Sequence, residues 1–291
     1  MEMSLVHGSV VVGVDGSDAS AAALEWAARL ASRESRSLNV VHACGFPVAE
    51  GRFEDIIASE RGLKSIGRRL VRDAVHEARQ VAPELAVTTL VVPGHASTVL
   101  VEATETAAVV VLGTRGRGAI SSALLGSVSR EVTRDAHCPV VVVRAHQDDD
   151  HGPVVVGVDG TQASSAAVEF AFHQASVYGA PLTVLHAHRD LRERASSVLD
   201  LRSYEQQADL SEDLERVVAE AVAGQCEKYP EVVVTEVYRR GDPVRQLVEA
   251  SHDASLVVVG SRNRRAAGTL LGSVSRAVAE RAACPVAVAL P

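Results

Sequence analysis

Residues 113–129 read GTRGRGAISSALLGSVS and follow the apolar run AVVVL without a break. Glycine adopts positive φ angles and permits close backbone approach, and we expect such turns at Gly116 and Gly118. Gly126 and Ser127 begin a predicted helix, whose free N–H groups and dipole favour an anion. We expect Ser127 and Ser129 to add hydroxyl donors at the start of this helix. The segment is therefore a candidate phosphate-binding loop. The alternative is a plain loop that ends in a Ser-capped helix.

Two familiar nucleotide-binding patterns do not describe this segment. It lacks G-x-x-x-x-G-K-[ST], the P-loop pattern, and no G-x-G-x-x-G follows the first predicted strand directly. Arg115 and Arg117 are candidates for phosphate contacts, although loop arginines more often face water. A dinucleotide-binding fold is disfavoured, and a different phosphate loop stays open.

Asp15 is a second candidate for chemistry, because it follows the β-branched run at residues 10–14. Asp-Gly-Ser is good turn chemistry, so the carboxylate can cap the turn before the next helix. It can equally accept hydrogen bonds from a base or a ribose, and the two roles are compatible. His42 and His186 also follow apolar runs. No nucleophile lies at a spacing that would indicate a catalytic pair, so we interpret both histidines as packing residues.

These candidates recur because the chain contains one pattern twice. Three segments return in the same order: VVVGVDGSDAS (10–20) as VVVGVDGTQAS (154–164), LNVVHA (38–43) as LTVLHA (182–187), and LLGSVSREVTRDAHCPVVVV (124–143) as LLGSVSRAVAERAACPVAVA (270–289). We predict two domains, at residues 1–146 and 152–291. The polar junction AHQDDDHGP reads as a linker. Its acidic run is better explained as a solvated linker than as a metal site.

Each copy alternates strand and helix patterns. In the first copy, strands are predicted at 10–14, 38–43, 86–92, 107–112 and 140–143, and helices at 19–33, 63–81, 97–106 and from about 127. The stretches 46–62 and 188–203 lack clear periodicity and are predicted as loops or short helices, and a longer helical stretch is predicted at 204–228. All-apolar strands alternating with helices predict an α/β fold, in which each domain is a five-stranded parallel sheet with helices on both faces.

The composition narrows the functional classes. A net charge of −8 and a pI near 5.8 argue against a nucleic-acid surface and a basic membrane-surface helix. No leader pattern and no apolar run of about 18 residues is visible, which argues against membrane insertion. The four cysteines show no CxxC spacing, as in a reduced cytoplasmic protein.

Together these motifs resemble the universal stress proteins. The resemblance rests on Gly113-x-x-Gly116 followed after nine residues by Gly126-Ser127, on Val-Asp-Gly-Ser after the first strand, on Val-His-Ala after the second, and on Cys-Pro-Val-Val-Val at the end of the copy. The resemblance covers both copies, so the chain is similar to tandem two-domain members of actinobacterial type. It implies Rossmann-like domains, similar to adenine nucleotide alpha hydrolases, that bind ATP, with Mg²⁺ on the phosphates as a further option.

When the family's motif positions are transferred to this sequence, the resemblance implies two sets of nucleotide-binding residues. In the first copy these are Gly13, Val14, Asp15 and Ala43 at the adenosine end, and Gly113, Gly116, Gly126, Ser127, Val128 and Ser129 at the ribose and phosphates. In the second copy they are Gly157, Val158, Asp159, Ala187, Gly260, Gly272, Ser273, Val274 and Ser275.

The second copy departs from the pattern. Asn263 stands where the first copy has Gly116, and eight rather than nine residues separate it from Gly272. Asn tolerates left-handed backbone better than most residues, and Arg264 and Arg265 add positive charge. We expect ATP binding in the first domain. The altered loop makes ATP binding a weaker expectation for the second domain.

The leading functional hypothesis is an ATP-binding regulatory protein of the stress response. A slow ATP hydrolase or an adenylyl- or phosphoryl-transferring enzyme is the first alternative, although no Lys stands in the loop and no base is paired with a nucleophile. A nucleotide-free interaction module is the second. We expect the two domains to form a pseudo-dimer through their last strands, Val140–Val143 and Val286–Leu290, and a homodimer of chains is a further option.

Overall fold

The computed structural model describes residues 5–45, 53–116, 125–144, 152–188, 216, 218–219, 222–261 and 272–290. The chain divides into two compact units, Met1–Asp148 and Asp149–Pro291. The linker residues 145–151 lie outside the described ranges, as do most of the predicted helical stretch 204–228 and the segment 189–203.

The first unit contains one parallel sheet of five strands: β1 Val10–Gly13, β2 Leu38–Cys44, β3 Val87–Pro93, β4 Val109–Gly113 and β5 Val140–Val143. Their spatial order is β3-β2-β1-β4-β5. Val10, Val11 and Val12 are fully buried, as expected for a central strand that is covered on both faces. The predicted α/β class is confirmed.

Four helices cover this sheet: α1 Asp18–Arg33, α2 Phe53–Val81, α3 Ala96–Ala103 and α4 Ser127–Asp135. The prediction of a loop or short helix at 46–62 is wrong from Phe53 onward, because α2 already begins there. Good helix formers such as Glu, Ala and Arg occur in this part of the sequence, so a helix forms where the apolar spacing gave no clear signal.

The second unit repeats the arrangement with β6 Val154–Val158, β7 Leu182–His188, β8 Val234–Arg240, β9 Leu256–Gly260 and β10 Val286–Ala289. All pairs within it are parallel, in the order β10-β9-β6-β7-β8. Its described helices are α5 Gln162–Tyr178, α6 (222–228), α7 Pro243–Ala250 and α8 Ser273–Arg281.

The strand order places a crevice at one point of each sheet. In the first unit, β1 lies between β2 and β4, so the chain leaves β1 to one side and later returns on the other. In the second unit, β6 lies between β7 and β9 in the same way. In open parallel sheets, ligands bind beyond the carboxyl ends of the strands at this switch point.

Candidate nucleotide site

A cavity of about 430 Å³ opens at the carboxyl end of β1 and β4. All ten residues predicted for the first domain line it: Gly13, Val14, Asp15, Ala43, Gly113, Gly116, Gly126, Ser127, Val128 and Ser129. They come from four separate stretches of the chain, and the sheet topology brings them together. The volume lies within the range of about 300–1,000 Å³ that is usual for small-molecule pockets.

The turn after β1 holds the Asp15 side chain in a fixed orientation. Asp15 Oδ1 accepts hydrogen bonds from Ser17 N at 3.0 Å and from Ser17 Oγ at 2.6 Å. Gly16, at φ 79°, gives the turn its left-handed residue, and its N–H donates to Ser20 Oγ at 3.1 Å. Ser17 is also the N-cap of α1 and accepts from Ser20 N at 3.3 Å. The predicted turn role of Asp15 is therefore visible, and the carboxylate lines the cavity in a preset position.

Position 116 favours glycine because the Asp15 carboxylate lies close by, and not because of its backbone conformation. A Cβ at this position would overlap Asp15 Oδ2. Among the described residues, Gly116 is not one of those with positive φ, so the expected left-handed turn here is wrong. Gly118 lies outside the described residues. A side chain at position 116 would therefore force the Asp15 carboxylate out of its position.

The two ends of the glycine-rich segment are joined at its base. Gly113 ends β4 against α1, and a Cβ there would stand 2.6 Å from the carbonyl carbon and oxygen of Ala19. Gly126 N donates to Thr114 O at 2.7 Å, and a Cβ on Gly126 would lie 3.2 Å from the same oxygen. These glycines allow close packing of backbone segments, which positions the start of α4 beside the end of β4.

The amino-terminal turn of α4 forms one wall of the cavity. Gly126 is its N-cap and makes no side-chain capping bond, and Ser127 is exposed. The first amides of a helix have no partner within the helix and carry its positive dipole end. Ser129 is buried and donates its hydroxyl to Gly113 O at 2.7 Å. The expectation that Ser129 supplies a donor at the helix mouth is therefore corrected, because its hydroxyl hydrogen fixes α4 to β4.

His42 lines the same cavity from the end of β2. Its Nδ1 lies 2.7 Å from Val14 O, and His186 Nδ1 lies 2.9 Å from Val158 O in the second unit. A carbonyl oxygen only accepts, so Nδ1 carries the hydrogen in both rings. Each ring thus ties the end of one strand to its neighbour, in keeping with the structural role that we expected.

Several lining residues were not among those predicted for the site: Ser20, Val41, Ala96, Leu100 and Leu112. Arg115, already a candidate for phosphate contacts, also lines the cavity and is partly buried. Ala96 and Leu100 belong to α3, which reaches the cavity because it starts at the same edge of the sheet. Only the strand order could have revealed them, since they match no motif.

The second unit has a matching cavity of about 230 Å³. The predicted residues of this domain line it except Ser273, and Thr161, Ser164, Leu185, Pro243, Leu247 and Val259 complete the wall. Asp159 Oδ1 accepts from Thr161 N at 3.1 Å and from Thr161 Oγ1 at 2.6 Å, as Asp15 does from Ser17. Ser275 Oγ donates to Gly260 O at 2.6 Å. Asn263, Arg264 and Arg265 lie outside the described residues.

Cys44 and Cys138 are poor nucleophiles. Burial raises the pKa of Cys138 to about 12 and also raises the pKa of Cys44, where the nearby Lys64 partly opposes it. A thiol with a raised pKa is poorly reactive at neutral pH. None of the four cysteines, all of which lie in the described ranges, forms a disulfide.

The sequence as a whole is similar to known proteins of one family. The model of the Universal stress protein family matches residues 8–144 and 151–289. The chain belongs to the universal stress protein family. A universal stress protein of Mycobacterium tuberculosis H37Rv is 38% identical over 291 residues, covering 96% of this chain and 95% of its own length. Another from the same strain is 39% identical over 303 residues, covering 97% of each.

The fold is shared with solved members of the family. A universal stress protein from Archaeoglobus fulgidus DSM 4304 superposes with a TM-score of 0.69 at 19% identity, covering 97% of this chain and 96% of its own. This similarity supports the architecture of the universal stress protein chain described above. In the described ranges, no helix is long and apolar enough to cross a bilayer.

Proposed function

We propose that this universal stress protein is a regulatory protein that binds ATP in the cavity of its first domain and changes its contacts with occupancy. The observation that carries the proposal is the convergence of an apolar wall, a fixed carboxylate and a helix amino terminus in one cavity. Each of the three suits a different part of a nucleotide.

The adenosine end would lie between β2 and α3. Val41, Leu100 and Leu112 offer apolar surface there, and Asp15 stands beside them with its carboxylate held by Ser17. A planar base favours apolar walls, and a ribose hydroxyl favours a carboxylate acceptor. Because Asp15 is already oriented, little conformational freedom is lost when the ligand binds.

The phosphate end would lie at the start of α4. The unpaired first-turn amides and the helix dipole attract negative charge. Arg115 lines the same cavity and can contribute a guanidinium to a phosphate oxygen. Gly116 and Gly126 keep side chains out of the space between these groups. A Mg²⁺ ion would be carried by the phosphates themselves.

The test is a titration of the full chain with MgATP by calorimetry, together with mass spectrometry of the ligand released on denaturation. We expect ATP uptake, and at least a tenfold loss of affinity in Gly116→Ala, whose Cβ overlaps Asp15 Oδ2. Gly62→Ala is the matched control, because a Cβ at Gly62 meets nothing within 4 Å.

Absence of ATP uptake by the wild-type chain would refute the proposal. Equal affinity of Gly116→Ala and Gly62→Ala would show that the site is misplaced. Steady release of ADP or pyrophosphate above background, lost in Asp15→Ala, would favour the enzyme instead. We further propose a cytoplasmic location, supported by the four cysteines that remain as thiols in the described ranges. A homodimer of chains stays a prediction, for which sedimentation at several concentrations is the measurement.

A further inference from the structure

The two cavities differ in size although they occupy equivalent positions. The first measures about 430 Å³ and the second about 230 Å³. Pockets for small molecules usually measure about 300–1,000 Å³, so only the first falls in that range.

The difference is visible in the wall next to the central strand. In the first sheet Gly13 pairs with Val41, and in the second Gly157 pairs with Leu185, so Val41 and Leu185 are equivalent. Leu185 carries one more methylene and packs in the same buried cluster as Leu247. The larger side chain takes space at the end of the cavity that would receive the base.

A second change reduces the same end of the cavity. α3 begins at Ala96 and α7 begins at Pro243, and both residues line their cavities. The proline ring adds two carbons where the first domain has a methyl group. A change in the other direction, from Leu112 to Val259, removes one methylene on the opposite side of the central strand. The net effect is a smaller base end.

The charge at this end differs as well. Asp242 caps α7 and accepts from Val244 N at 2.9 Å and Arg245 N at 3.2 Å, which places a carboxylate directly before Pro243. His95 stands at the equivalent position before α3 and makes no side-chain capping bond. Asp242 therefore adds a negative charge next to the base end of the second cavity.

We infer that the chain binds one ATP, in the first domain, and that Leu185 and Pro243 exclude the nucleotide base from the second. This inference rests on the proposed function and adds its stoichiometry and the residues that set it. Val41 and Ala96 are the corresponding size-determining residues of the first domain.

The test uses calorimetric titration of the full chain with MgATP. The wild-type chain is expected to take up one ATP, and Gly116→Ala to show no remaining site of comparable affinity. The double variant Val41→Leu/Ala96→Pro gives the first cavity the residues of the second. Its ATP affinity is expected to fall by about 10- to 200-fold, the range for misfit of a methylene or two in an apolar pocket.

The double variant is designed to keep the fold. Proline is favoured at the first position of a helix, and His95 already has φ −74° and ψ 132°, which suits a residue before proline. The thermal midpoint is measured for each protein. If the double variant does not fold, the ATP affinity of the single variant Ala96→Pro is measured instead.

The outcomes separate the two proposals. No ATP uptake by the wild-type chain refutes the proposed function. Two equivalent sites in the wild-type chain, of which one remains tight in Gly116→Ala, overturn this inference and leave the function standing. Unchanged affinity in the folded Val41→Leu/Ala96→Pro variant also overturns it. Gly62→Ala, which lies away from both cavities, is the control for substitution as such.

Discussion

Asp15→Asn and Ser17→Ala should separate ligand binding from stability at the turn after β1. The amide that replaces the carboxylate in Asp15→Asn keeps one oxygen. This oxygen can accept from the Ser17 amide and hydroxyl, as Asp15 Oδ1 does at 3.0 and 2.6 Å. The second carboxylate oxygen, which borders Gly116, becomes an NH₂ group and can no longer accept. Ser17→Ala leaves the carboxylate in place and removes the side chain that caps α1.

The magnitudes follow from these contacts. Loss of a serine N-cap costs about 1 kcal/mol, and the half-buried hydroxyl–carboxylate bond adds up to about another. For a unit the size of Met1–Asp148 this lowers the thermal midpoint of Ser17→Ala by about 3–6 °C. A lost bond to a charged acceptor is worth about 1.5–3 kcal/mol, so Asp15→Asn should weaken ATP binding by about 10- to 150-fold.

The assay combines thermal unfolding of the ligand-free variants with calorimetric titration of MgATP. We expect Asp15→Asn to change mainly the affinity, and Ser17→Ala to change mainly the thermal midpoint, with a smaller loss of affinity from a less rigid carboxylate. If Asp15→Asn binds ATP as tightly as the wild type, the carboxylate is only a turn residue and the assignment of the adenosine end fails.

The remaining predictions concern packing and thiol chemistry. Gly113→Ala should lower the free energy of unfolding by about 1–3 kcal/mol in urea titrations, because its Cβ meets helix backbone at 2.6 Å, whereas Gly62→Ala should be neutral or stabilising. Ser129→Ala should cost about 0.5–1.5 kcal/mol by the same measurement, because it leaves the partly buried Gly113 carbonyl without its hydroxyl partner; no loss would contradict that bond. At pH 8, iodoacetamide should label the partly exposed Cys226 in the folded chain and spare Cys138 until denaturant is added. The Cys138 thiol has a pKa of about 12 in the folded chain against 9.0 as the ordinary value. The stability that depends on this protonated thiol is therefore complete below pH 9 and declines as the pH rises from 9 towards 12. Urea titrations at several pH values check this.

The architecture could be predicted from the repeat and the strand pattern. β5 matches its predicted bounds Val140–Val143, since a proline precedes a run of four valines. The start of α2 could not be located in this way, because residues after Phe53 form a helix without a clear apolar spacing. Hydrophobic periodicity finds the buried stripe of a helix and misses turns that lack one.

The residues of the site could be predicted better than their roles. Gly116 was expected to adopt a left-handed turn, and instead it accommodates a carboxylate from another strand end. The hydroxyl of Ser129 was expected to face the ligand and instead bonds to Gly113. Such roles depend on residues distant in sequence, which spacing alone does not contain. Ala96 matches no motif for the same reason.

The number of ATP molecules bound per chain tests the central claim most directly. The account predicts one ATP in a calorimetric titration of the wild-type chain, held by the cavity that Asp15 and Gly116 line, and none of comparable affinity in Gly116→Ala. A wild-type chain that takes up no ATP, or a Gly116→Ala chain that binds as the wild type does, would contradict it.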